Sequence, residues 1–193
     1  MASGVKKQLR ITFNSPVILA FTGLAVAAFI ANFFTGGRAN TLLFSVYHSS
    51  LLNPLTYVRF FGHVLGHAGV SHLVGNFMVI LLTGPSVENR FGSKATILVI
   101  LTTAVLTGVL HYLLFPNTAL LGASGVAFAF IIMSSLVNFR DKEIPITFLL
   151  VAALYLGEQI VGLFQKDSVS QLAHILGGLI GGAYGFLLKG KKL

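Results

Sequence analysis

Apolar runs of membrane-crossing length, separated by short polar and basic stretches, dominate the chain. A bilayer core takes about 20 residues of helix, with roughly 17 to 25 tolerated. Six segments reach or approach that length: 16–34, 70–84, 94–115, 119–138, 144–163 and 169–188. The second is short, and the Gly84-Pro85 pair is expected to end it. The first follows Lys6, Lys7 and Arg10, as a signal peptide's apolar region would. Its run exceeds the roughly 7 to 15 residues of such a region and five more spans follow, so it reads as a retained helix. The expected architecture is an all-α membrane protein: a single domain with an N-terminal segment 1–15, a six-transmembrane-helix bundle over 16–188 and a basic tail 189–193.

Composition agrees with that reading. Of 193 residues 55% are apolar and 9% charged, against roughly a quarter charged in soluble domains, and mean hydropathy is +0.87. The formal charge of +8 does not point to nucleic acid, because the basic residues sit at the ends of apolar runs and form no stripe. They set orientation instead. Cytoplasmic loops hold the excess of Lys and Arg, and with the N-terminus inside, every basic residue except Arg38, Arg59 and Lys166 falls on the inner side. Both termini are therefore expected in the cytoplasm, with the protein in a plasma or inner membrane. The stretch 35–69 then lies outside or in the outer leaflet. Phe44, Tyr47, Tyr57, Phe60 and Phe61 make it too apolar for a free linker, so it reads as a long membrane-embedded first loop. The chain has no cysteine, which excludes disulfides, thiolate metal sites and a cysteine nucleophile.

In this topology the second, fourth and sixth helices run from outside to inside, so residues near their N-terminal ends share one level. His72 and Asn76 lie there on the second, Ser124 on the fourth and His174 on the sixth. Each is expected roughly four to seven residues in, or about 6 to 10 Å at 1.5 Å per residue. His72 and Asn76 are four apart and share a helical face. Polar groups at membrane depth either hydrogen-bond between helices or mark a functional site. The run Gly122-Ala123-Ser124-Gly125 also has two readings, since small residues let helices approach. Gly177, Gly178 and Gly181 share a face with His174, which makes close packing and contact between His174 and Ser124 compatible.

A serine hydroxyl needs a base that takes its proton and returns it to the leaving amine, and His174 is the candidate. The resulting oxyanion calls for preorganised donors: the Asn76 amide, a ring N–H of His72 and the backbone N–H of Ser124. No carboxylate falls at this level, so a Ser124/His174 dyad is expected rather than a triad. Glu158, the one acid within a span, lies near the outer end of the fifth helix and reads as an interfacial group. The histidines lack carboxylate or cysteine companions in ligand spacing, so neither a metal nor an organic cofactor is expected.

With these residues in this order, the chain resembles the rhomboid intramembrane serine proteases. The likeness rests on the GxSG run Gly122 to Gly125, the HxxxN pair His72 and Asn76, and Ala173-His174-x-x-Gly177 continuing to Gly181, over roughly residues 55–188. It implies Ser124 as nucleophile, His174 as general base and acid, and His72, Asn76 and the Ser124 backbone as oxyanion hole, with Gly122 and Gly125 beside them. Structural roles are implied for Arg59 in the first loop and for Glu88 and Arg90 as an E-x-R motif, and His67 matches an upstream histidine. Two positions depart from the family. Val58 stands where a tryptophan commonly precedes the arginine, and Phe128 stands where a tyrosine often packs on the catalytic histidine. The resemblance also implies a first loop that braces the site and a mobile fifth helix, here carrying Gly157 and Gly162. His63, His67, Ser71 and His72 either line a path for water or, for His63 and His67, serve the structure.

The expected activity is hydrolysis of peptide bonds in or near the transmembrane helices of membrane-protein substrates. Partners are those substrates and the lipid bilayer, with no nucleic acid and no metal. Two alternatives are a rhomboid-like binding or quality-control protein without catalysis and a small transporter with a histidine relay. The transporter finds no support in internal repeats or paired interrupted helices.

Overall fold

The computed structural model describes residues 13–137, 144, 146–163 and 168–188, and only the backbone of residues 155, 156, 158–163 and 168–170. The basic residues expected to orient both termini, Arg140, Lys142 and Lys166 of the loops, and the side chain of Glu158 lie outside the described residues.

The described residues form seven α-helices: α1 (Pro16–Phe34), α2 (Pro54–Gly62), α3 (Val70–Phe91), α4 (Ser93–Leu114), α5 (Ser124–Ser135), α6 (Ile146–Leu163) and α7 (Ser168–Leu187). Among the described residues there is no strand, only an isolated antiparallel bridge between Val46 and Leu120. By length and composition α1, α3 and α4 can each cross a membrane, and α5 and the apolar part of α7 are shorter. Outward faces of α1, α3, α4, α6 and α7 carry Leu24, Leu82, Leu113, Leu154 and Leu179 respectively, side chains suited to lipid rather than water. The chain is a multi-pass membrane protein. α5 lies at the centre, against α3, α4, α6 and α7, and its Val126, Ala129, Phe130 and Met133 are sealed from the outside.

Two boundaries differ from the sequence expectation. α3 does not stop at Pro85 but runs through it to Phe91. A proline removes one backbone donor and crowds the carbonyl four residues back, yet the turns beyond it are pinned by tertiary contacts of Glu88 and Arg90. α5 starts at Ser124 and not near 119. The segment before it is not helical: Leu120 exchanges two 2.9 Å backbone hydrogen bonds with Val46, and Gly122 turns the chain with a φ of +125°.

Glu88 does work that the local sequence of α1 leaves undone. A helix begins with N–H groups that have no intrahelical partner, and Ser15 gives no side-chain cap. The N–H groups of Val17 and Ile18 donate instead to the two Glu88 carboxylate oxygens, each at 3.1 Å. The Ser93 hydroxyl donates to the same carboxylate at 2.7 Å. A negative charge there also complements the helix dipole. Arg90 donates from Nε to the Val137 carbonyl at 2.9 Å, just past the end of α5.

The first loop is folded. A π-helical turn, Asn40–Phe44, precedes the bridge residue Val46, and α2 is capped by Asn53 and continues into a 3-10 turn, His63–Leu65. Arg59 is buried inside it, donating from Nε to the Leu42 carbonyl at 3.2 Å and from Nη1 to Ser49 Oγ at 3.0 Å, with its guanidinium 4.5 Å from the Tyr47 ring. A methyl group on Gly66 would run into the Phe44 carbonyl, so turn and loop pack backbone to backbone.

Glu88→Ala is expected to destabilise the protein by about 3 kcal/mol, the scale of losing hydrogen bonds to a charged, buried acceptor. Equilibrium unfolding in detergent checks this, with Glu88→Gln intermediate because its amide oxygen still accepts.

Candidate active site

α5 and α7 meet along a seam without side chains. A methyl group on Gly177 would strike the Gly125 carbonyl, and one on Gly181 would strike the Ala129 carbonyl, with Ala129 Cα only 2.7 Å away. A methyl on Gly125 would sit 3.2 Å from the Ala173 carbonyl oxygen. Ser124 directly precedes Gly125 and His174 directly follows Ala173, so the seam sets both at the same end of the α5–α7 contact, each half-buried. Phe128, one helical turn on from Ser124, lies against His174 with ring centroids 4.4 Å apart and a 46° tilt. The aromatic face anticipated from the resemblance is there.

Ser124 is the first residue of α5 rather than several residues within it. The segment before it is tied to the first loop through Val46 and the His63 carbonyl. The Ser124 backbone N–H is one of the free donors at a positive helix end.

The turn entering Ser124 leans on α3. Gly122 donates its N–H to the His63 carbonyl at 2.9 Å. A methyl at Gly122 would lie 2.7 Å from His72 Nε2 and 3.5 Å from Asn76 Nδ2, so only glycine leaves room for both side chains at this positive φ. The Ala68 N–H approaches His72 Nδ1 at 3.5 Å. His72 Nε2 is the ring nitrogen that faces Gly122. Asn76 is buried, and its Nδ2 is 3.0 Å from His67 Nε2.

His63 and His67 are buried. His63 Nε2 donates to the Ala104 carbonyl at 3.0 Å and lies 3.3 Å from Thr107 Oγ1. His67 Nδ1 is 3.2 Å from the Leu65 carbonyl. Burial lowers both rings to a pKa of about 4, against the opposing pull of those carbonyls. The link from His67 to Asn76 had no signal in the sequence beyond closeness along the chain. No group of three or more His, Asp or Glu side chains able to hold a metal occurs among the described residues.

The fold and the site define a polytopic helical membrane protein in which a serine at a helix start faces a histidine-bearing helix on one side and a His/Asn pair on the other. The Rhomboid domain family matches residues 54–191. Rhomboid-related protein 2 of Mus musculus is 32% identical over 159 residues, covering 70% of this chain and 52% of the relative. Rhomboid-related protein 1 of Caenorhabditis elegans is 30% identical over 142 residues, covering 67% of this chain and 39% of the relative. The chain thus spans about half the length of the first relative and less of the second. It belongs to the rhomboid family.

Acid is expected to destabilise the folded loop. Between the ordinary histidine value near 6.5 and about 4 the unfolded chain binds protons that folded His63 and His67 refuse, so stability is complete above that range and falls as pH drops through it. From pH 7 to 5 the loss is roughly 2 kcal/mol per histidine, measurable by unfolding at both pH values. His63→Gln should remove about half of the pH dependence.

Proposed function

We propose that the protein is an intramembrane serine endopeptidase cutting membrane-protein substrates in or near their transmembrane helices. The observation that carries this reading is the placement of Ser124 at the start of α5, between the His174 helix and the His72/Asn76 side of α3. Ser124 Oγ attacks the scissile carbonyl carbon while His174 takes its proton. The oxyanion is met by the Ser124 N–H, the Asn76 amide and His72 Nε2–H. His174 then protonates the leaving amine, and water, deprotonated by His174, releases the acyl group from Ser124. Phe128 packs on the His174 ring without the hydroxyl that a tyrosine would bring.

In this proposal α1 and α3 to α7 are the six spans, both termini face the cytoplasm, and the site opens toward the extracytoplasmic side of a plasma or inner membrane. Support comes from membership of the rhomboid family and from the apolar length of α1, α3 and α4.

Purified protein mixed with a transmembrane model substrate tests the activity. Wild type is expected to cleave, Ser124→Ala to be inactive, His174→Ala to lose about 10³-fold or more, and Asn76→Ala to lose about 10²- to 10³-fold in kcat. Cleavage surviving Ser124→Ala overturns the reading. Substrate capture without cleavage would favour a binding protein, and proton flux into liposomes that survives Ser124→Ala would favour a transporter.

A further inference from the structure

Asn76 has a carboxamide whose two ends are nearly the same size and opposite in hydrogen-bonding sense. As an oxyanion donor it is useful only with its NH₂ toward the site. Turned over, it would present an oxygen to a negative charge. Something must choose between the two orientations, and the atom in contact with Asn76 Nδ2 is His67 Nε2, at 3.0 Å.

The state of that atom follows from the other side of the ring. His67 Nδ1 is 3.2 Å from the Leu65 carbonyl, which can only accept, so Nδ1 carries the proton. In a neutral imidazole Nε2 is then a bare acceptor. It can pair with the Asn76 NH₂ and not with its oxygen. One amide hydrogen is used by His67, and the second remains on the nitrogen that faces Gly122.

The ring itself is held. His67 is fully buried between His72 and Phe77, with centroids 5.0 and 5.7 Å away. Its carbonyl accepts from Asn40 Nδ2 at 3.1 Å, and the Asn40 N–H donates to Asn32 Oδ1 at 2.9 Å. A line of hydrogen bonds therefore runs from the end of α1 through the first loop to Asn76. Burial keeps the ring neutral, and a second proton would turn Nε2 from acceptor to donor.

We propose that His67 is a positioning residue for Asn76: its bare Nε2 selects the carboxamide orientation that leaves an N–H aimed at the Gly122 turn. This rests on the reading of Asn76 as an oxyanion donor.

Two measurements test it. In ¹⁵N NMR of histidine-labelled protein, with His67 assigned by comparison with His67→Gln, the expected result is a protonated Nδ1 and an unprotonated Nε2 whose shift moves in Asn76→Ala. A protonated Nε2 overturns the proposal. In cleavage assays His67→Phe, which keeps a ring without an acceptor, is expected to lower kcat about 10-fold with KM little changed, a part of what one oxyanion donor contributes. His67→Gln, whose amide oxygen can accept from Asn76, should stay within about threefold of wild type. In an Asn76→Ala background His67→Phe should cost less than about twofold, because residues acting as one unit are not additive. An undiminished effect in that background, or unchanged kcat in His67→Phe, overturns the proposal. Absence of cleavage by wild type would instead overturn the proteolytic reading, and the tautomer of His67 would still decide whether it holds Asn76.

Discussion

Contact between the bare backbones of α5 and α7 is the constraint on which the arrangement rests. Two helices in a bilayer gain no hydrophobic drive from touching, since lipid is as apolar as leucine, and their attraction comes from close packing. Close packing here needs the absence of side chains: Gly177 and Gly181 lie on the carbonyls of Gly125 and Ala129. The residues next to that contact, Ser124 and His174, are then neighbours by consequence. The small residues pack the two helices backbone to backbone, and Ser124 and His174 flank that packing.

The other half of the site is built by chain that is not membrane-length helix. Residues before Ser124 are held by Val46 and by the His63 carbonyl, and these belong to the first loop. That loop is stiffened from within by Arg59, whose charge is spread over a carbonyl, a hydroxyl and an aromatic face. The loop, α3 and the start of α5 therefore form one hydrogen-bonded wall, and the α5–α7 seam closes it from behind.

Apolar length made most of the fold legible. The runs chosen for α1, α4, α6 and α7 lie within two residues of the observed helices, because uninterrupted apolar sequence and helix coincide in a membrane. α3 and α5 were misjudged for opposite reasons. At Pro85 a local breaker was overruled by Glu88 and Arg90, whose partners lie far along the chain. At Leu120 an apolar residue that suits a helix was recruited into a bridge with a loop. His72, Asn76, Ser124 and His174 were placed at one level on the assumption that each sits inside a helix, whereas Ser124 is the first residue of its helix. The roles of His63 and His67 were not legible, since a folded loop has no periodicity that tells an inward side chain from an outward one.

The carboxylate that completes the start of α1 belongs to a residue 70 and 71 positions downstream. The first donors of α1 therefore find these partners only where α1 and the last turn of α3 lie together. The region matching the family begins at residue 54, after α1, yet it carries the group that finishes α1. The start of α1 is in this sense completed by the last turn of α3.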